Sequence, residues 1–226
     1  FLEGRDPDRP FCLLVHHKAP HRNWMPEPKY YDLFEDVEFP LPDNFHDDYS
    51  TRTTAAHAQR MSIARDMELV YDLKVEELKG RDGYRPEPNS YWDAAYAGLT
   101  PEQQAAWRDA YRPKNEAFIE AELAGDELLE WKYQRYMRDY LRCIRSVDDQ
   151  IGRLLDYLEE HDLMDDTVIV YTSDQGFYMG EHGWFDKRFM YEESFRTPLV
   201  IRYPNGARGE VCDRLVQNID YAPTYL

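Results

Sequence analysis

The stretch Val168-Ile169-Val170-Tyr171-Thr172-Ser173-Asp174-Gln175-Gly176 decides the fold. Five β-branched or aromatic residues, the types that suit a pleated surface, run directly into four residues that favour turns. A strand that stops in this way sets Asp174 at its carboxyl end, the place where open α/β sheets gather ligands. Upstream, Asp126–Leu163 reads as one long amphipathic helix. Tyr133, Met137, Tyr140, Ile144, Val147, Ile151, Leu154 and Leu158 recur at alternating steps of four and three, so they share one face. That stripe is expected to pack on a sheet. Downstream, Pro198–Tyr203 (PLVIRY) is a second strand, and Phe11–His16 (FCLLVH), near the start of the chain, is another. Strand, long helix, strand, loop, strand is the order of an α/β fold with a mostly parallel sheet covered by helices.

The stretches between these elements are less regular. Pro26, Pro28, Pro40 and Pro42 punctuate a segment in which Asp32–Asp48 holds seven acidic residues and no Lys or Arg, an irregular acidic surface. Ala55–Leu73 is helix-prone, and Arg81–Ser90 (RDGYRPEPNS) reads as a loop. Thr100-Pro101-Glu102-Gln103 is a helix start, with Thr as the cap, Pro in the first position and Gln three residues after the cap. That helix is expected to end at Pro113.

Composition narrows the function classes. The 226 residues carry 27 Lys and Arg against 44 Asp and Glu, a formal charge of −17. Affinity for phosphate backbones comes mostly from cationic side chains, so a nucleic-acid partner is excluded. Aromatic residues at 15% and hydrophobic ones at 42% argue against a disordered chain. No run approaches the roughly 18 apolar residues of a membrane-spanning helix. Cys12, Cys143 and Cys212 are too few and too scattered for a disulfide framework or a zinc site.

Two polar clusters follow strands: Lys18 and His21 after the first, and Asp174 and Gln175 after Val168–Thr172. Taken alone, Ser173–Gly176 reads as a turn or a helix cap before it reads as a ligand site. Gly180-Glu181-His182-Gly183-Trp184-Phe185-Asp186-Lys187-Arg188 adds a glycine-spaced, aromatic and charged loop of the sort that carries function. Asp174 and Gln175 offer oxygen donors, which suit Ca²⁺ or Mg²⁺ better than zinc. Lys18 and Lys187 are point charges for a tetrahedral anion, and His21 and His182 can donate hydrogen bonds or protons near neutral pH.

These segments, with Arg196-Thr197-Pro198-Leu199 and Asn218-Ile219-Asp220-Tyr221-Ala222-Pro223-Thr224, resemble type I sulfatases of the alkaline phosphatase superfamily. The form Asp174–Gly183 is most similar to bacterial enzymes acting on N-acetylglucosamine-6-sulfate and related glycans. The resemblance implies an alkaline-phosphatase-like sandwich over residues 1–226, hydrolysis of sulfate esters on carbohydrate, and a periplasmic or secreted location. It implies Asp174 and Gln175 as calcium ligands, Lys187 as the lysine on the sulfate, Lys18 and His21 as sulfate-side groups, and His182 as a contact to the leaving sugar. It also implies a formylglycine nucleophile made in a Cys-x-Pro-x-Arg context, and none of the three cysteines stands in one. The nucleophile segment and a smaller C-terminal subdomain are therefore expected outside this stretch, which alone should be inactive. A phosphodiesterase or phosphonate hydrolase of the same superfamily, or a non-catalytic binding fragment, is the alternative.

Overall fold

The computed structural model describes residues 1–81 and 91–225. Its regular elements are α1 (Thr54–Ala58), α2 (Tyr91–Ala97), α3 (Pro101–Glu120), α4 (Gly125–Glu160), β1 (Ile169–Thr172), β2 (Tyr178–Met179), β3 (Phe185–Asp186), α5 (Glu192–Phe195), β4 (Leu199–Arg202) and α6 (Tyr221–Tyr225). The class is α/β, as expected. The sheet is not the parallel one: β1 pairs with β4 and β2 with β3, both antiparallel. Phe11–His16 takes no regular secondary structure and makes no ladder among the described residues, and Leu14 and Val15 stand exposed. A parallel sheet needs neighbouring strands joined by crossovers, and within these residues β1 finds only β4. Both faces of that ribbon stay partly open, with Tyr171, Val200 and Ile201 exposed.

The start of α3 follows its sequence signal. The Gln103 amide donates to Thr100 Oγ1, and the Gln103 side chain accepts from the Thr100 amide at 2.9 Å. Pro113 does not end the helix, which continues to Glu120. An interior proline costs about 3 kcal/mol, but contacts on both sides of it hold the helix in place. Trp107 and Tyr111 stack at 3.9 Å before it, and after it Asn115 donates to the Lys74 carbonyl and to Glu77 at 2.8 Å.

The helix-prone reading of 55–73 holds only for Thr54–Ala58. Beyond it, side chains take over the backbone groups a helix would use. Asp66 accepts from the Ser62 amide and Asp72 from the Glu68 amide, while the Lys132 ammonium collects the carbonyls of Ile63, Ala64 and Met67. The loop expected over Arg81–Ser90 lies, past Arg81, outside the described residues.

Helix α4 is the spine, though its inward face is not the expected stripe. Tyr133, Met137 and Leu158 are buried, but Ile144 is 38% exposed. The inward face over 132–146 is instead shared with Lys132, Arg135, Asp139, Arg142 and Ser146, all buried. Their polar heads find hydrogen-bond partners inside, Arg135 Nε excepted, so the helix is wrapped by irregular chain rather than laid on a sheet. The main core joins Trp24, Ile63, Leu73 and Val75 to Tyr136 and Phe185, each 1% exposed or less. Burying a side chain of this kind contributes about 1.5–3 kcal/mol.

Candidate active site

Three segments meet on an aromatic floor made by Trp24, Phe177 and Phe185. The Trp24 ring lies 6.4 Å from Phe177 and 6.5 Å from Phe185, edge-on in both cases. Trp24 ends the loop that carries Lys18 and His21, Phe177 follows Asp174-Gln175-Gly176, and Phe185 begins β3, just before Lys187. Of the residues singled out from sequence, Lys187 is the one whose side chain touches this floor, its ammonium lying over Phe177.

Arg22 ties the first loop down. Its guanidinium grips Asp72 with two nitrogens, at 2.5 and 2.8 Å, and lies over the rings of Tyr71 and Phe185 at 4.8 and 5.0 Å. Asp72 is fully buried, so the clamp is desolvated as well as bidentate. Lys18 and His21 stay exposed beside it, with the His21 ring nitrogen 2.7 Å from the Arg22 carbonyl.

Asp174 caps no helix, because the chain after it stays non-helical up to β2. Its carboxylate is exposed and receives only a long contact from Ser173 Oγ at 3.5 Å, whereas its backbone carbonyl is pinned by Asn218 Nδ2 at 2.9 Å. The backbone is thus fixed and the carboxylate left available. Gly176 is required just beyond. A Cβ there would sit 2.1 Å from the Glu193 carbonyl oxygen, whose neighbour Ser194 accepts from the Gly176 amide.

Lys187 is partly buried. Its ammonium lies over the Phe177 ring at 5.6 Å and 3.4 Å from Asp186 Oδ1, and it spends no hydrogen bond on any described residue. Such a cation is held in place with its donors free. By contrast, a groove of about 580 Å³ is lined by Glu35, Asp36, Glu38, Glu127 and Glu130 with Arg138 as its one cation, and this excess of carboxylates would repel an anion.

His182 does not face outward. It sits in a left-handed turn (φ 58°), buried to 8% exposure. Its Nδ1 is 2.8 Å from Asp47 Oδ2, and Asn44 Nδ2 lies 3.4 Å from both ring nitrogens. Its carbonyl accepts from Tyr49 Oη, which in turn accepts from Trp184 Nε1. The His182 contact, helped by the Tyr49 amide and Arg52, holds the Asp47 carboxyl down at about 2. The His182 ring therefore faces the acidic segment, where Asp47 and Asn44 lie against its nitrogens. The acidic segment is the seat of the glycine-spaced loop, and at Gly183 (φ 70°) a Cβ would press on the Phe45 carbonyl at 2.8 Å. Arg22, Asp47, Phe177 and Asp186 were not singled out from sequence. Arg22 could have been, since it adjoins His21, but nothing local marks Asp47.

As oxygen donors, Asp174 and Gln175 fit a hard cation such as Ca²⁺. They are two donors of the roughly six to eight that calcium takes, and no group of three or more His, Cys, Asp or Glu able to hold a metal occurs among the described residues.

The family model described as Sulfatase matches residues 1–226, and the chain belongs to the sulfatase family. It is 47% identical over 227 residues to an N-acetylglucosamine-6-O-sulfatase of Bacteroides thetaiotaomicron, covering 100% of this chain and 40% of that protein. It is 30% identical over 227 residues to an N-acetylglucosamine-6-sulfatase of Capra hircus, covering 100% of this chain and 30% of that protein. A solved structure of a protein in complex with its substrate D-glucosamine-2-N,6-O-disulfate superposes with a TM-score of 0.89 at 47% identity, covering 100% of this chain and 45% of that one. The fold is therefore that of the sulfatases, and the chain spans less than half the length of these relatives. Among the described residues no helix is long and apolar enough to cross a membrane.

Proposed function

We propose that this chain is part of a sulfatase that hydrolyses sulfate esters on glycans, with 6-O-sulfated glucosamine as the substrate class. The observation that carries this reading is the Lys187 ammonium, fixed between Phe177 and Asp186 with its donors unspent. Sulfuryl transfer needs charge stabilisation that is in place before the reaction begins. Lys187 and Lys18 neutralise the sulfate oxygens, and His21 donates a hydrogen bond or proton on the same side. Asp174 and Gln175 contribute oxygen ligands to Ca²⁺, with Mg²⁺ the weaker fit, and the cation supplies Lewis-acid polarisation of the sulfate when bound. The nucleophile is a formylglycine, assigned to the part of the relatives' length that this chain does not span. The partner is a sulfated carbohydrate, and a periplasmic or secreted location goes with family membership. His182 keeps a packing and orienting role. Assaying the full-length protein on 6-O-sulfated glucosamine and on an aryl phosphodiester tests this: turnover of the sulfate ester that is lost on chelation and restored by Ca²⁺ is expected. Preference for the diester would overturn the reading.

A further inference from the structure

Asp186 carries three features that chain architecture does not require. Its backbone is left-handed, with φ 72°, in a residue other than glycine. It is 3% exposed, and its buried Oδ1 has no hydrogen-bond partner among the described residues. Cations flank it: Arg188 Nη2 donates to Oδ2 at 2.7 Å, and the Lys187 ammonium lies 3.4 Å from Oδ1. Backbone strain of this type persists where the surroundings impose it, and it gathers at functional sites.

The distances separate two ways of holding a lysine. A close hydrogen bond to a carboxylate would use up one of the three ammonium donors. A buried carboxylate at 3.4 Å attracts the same ammonium without taking a donor, because charge attraction outside bulk water acts beyond hydrogen-bond contact. Arg188 occupies the other oxygen and keeps the carboxylate from turning away.

We propose that Asp186 is a positioning residue for Lys187: its carboxylate fixes the ammonium by charge over the Phe177 ring and leaves the ammonium's donors for the sulfuryl oxygens. This rests on the assignment of Lys187 to the sulfate.

The test uses the full-length enzyme and 6-O-sulfated glucosamine. Asp186→Asn keeps the size and tolerance of the left-handed backbone but removes the charge, while Asp186→Gly relieves the backbone and removes the side chain. Both should lose on the order of 10²-fold in kcat/KM, the scale of a misplaced catalytic group, with Tm unchanged for Asn and unchanged or raised for Gly. In the Lys187→Ala background, itself down about 10²–10³-fold, Asp186→Asn should cost no more than about twofold further. Activity of either single variant within twofold of wild type, or losses that multiply in the double variant, would overturn the proposal. Failure of both variants to fold would also overturn it, by making Asp186 structural. If Lys187→Ala alone has no effect, the sulfate-site assignment falls, and this inference with it.

Discussion

Two regions of this molecule place cations against carboxylates, and they do so in opposite ways. Under α4, Asp139 is fully buried and saturated. Its carboxylate accepts from Lys74 at 3.0 Å, Arg142 at 3.0 Å and Tyr111 at 2.8 Å, with Arg135 Nε 3.5 Å away. At the aromatic floor, Lys187 keeps its donors, Asp186 keeps a bare oxygen, and the Asp174 carboxylate holds only one long contact. The two lysines differ accordingly: Lys74 is consumed by architecture, while Lys187 is positioned but unspent. The Asp139 carboxylate is saturated even though Arg135 Nε beside it is not, whereas the Asp186 carboxylate keeps one oxygen without a hydrogen bond.

The contrast can be broken at its strongest point first. Asp139→Ala leaves Lys74 and Arg135 buried without their counter-charge and Arg142 with Glu35 alone, and should destabilise the protein by about 3–5 kcal/mol. Denaturant unfolding would show this, and a shift under 1 kcal/mol would mean that the network is not what holds α4. Lys187→Ala should do the reverse. In the full-length enzyme kcat/KM should fall about 10²–10³-fold, about 3–4 kcal/mol, while the unfolding midpoint stays put. A loss of stability with activity retained would make Lys187 a surface charge.

Acid sharpens the same comparison. Burial alone drives the Asp139 carboxyl up, but Lys74, Arg135 and Arg142 more than reverse this and hold it at about 2. A depressed carboxyl stabilises the fold above its unfolded pKa, near 4, and that contribution is lost as pH falls toward 2. Stability measured from pH 5 to pH 2 should therefore drop across this window, and the drop should shrink in Asp139→Asn. The smallest effect belongs to a region outside both. Thr100→Ala removes the side-chain cap of α3 and should cost about 1 kcal/mol in thermal unfolding, with kcat unaffected.

Much of this was legible in the sequence. The β-branched run before Asp174 gave β1 to within one residue, PLVIRY gave β4, the capping box gave the start of α3, and the alternating spacing gave α4. These signals are local, because a cap or a periodic stripe is set by residues within about four positions of one another. The loops at Lys18–His21 and Gly180–Arg188 were legible too, as glycine, aromatic and charged residues in motif order.

Tertiary structure alone decided the rest, because the deciding partners are far apart in the chain. Asp47 and His182 are 135 residues apart, Lys74 and Asp139 are 65, and Arg22 and Asp72 are 50. No local pattern encodes such a meeting, so the contact of His182 with Asp47 could not be read from the sequence around either residue. The same holds for α3, where Pro113 is a stop signal by its own chemistry and Asn115, held by Lys74 and Glu77, overrides it. Local sequence chose the elements. Which side chains were spent on holding them together, and which remained free for a ligand, was settled only when the distant segments packed.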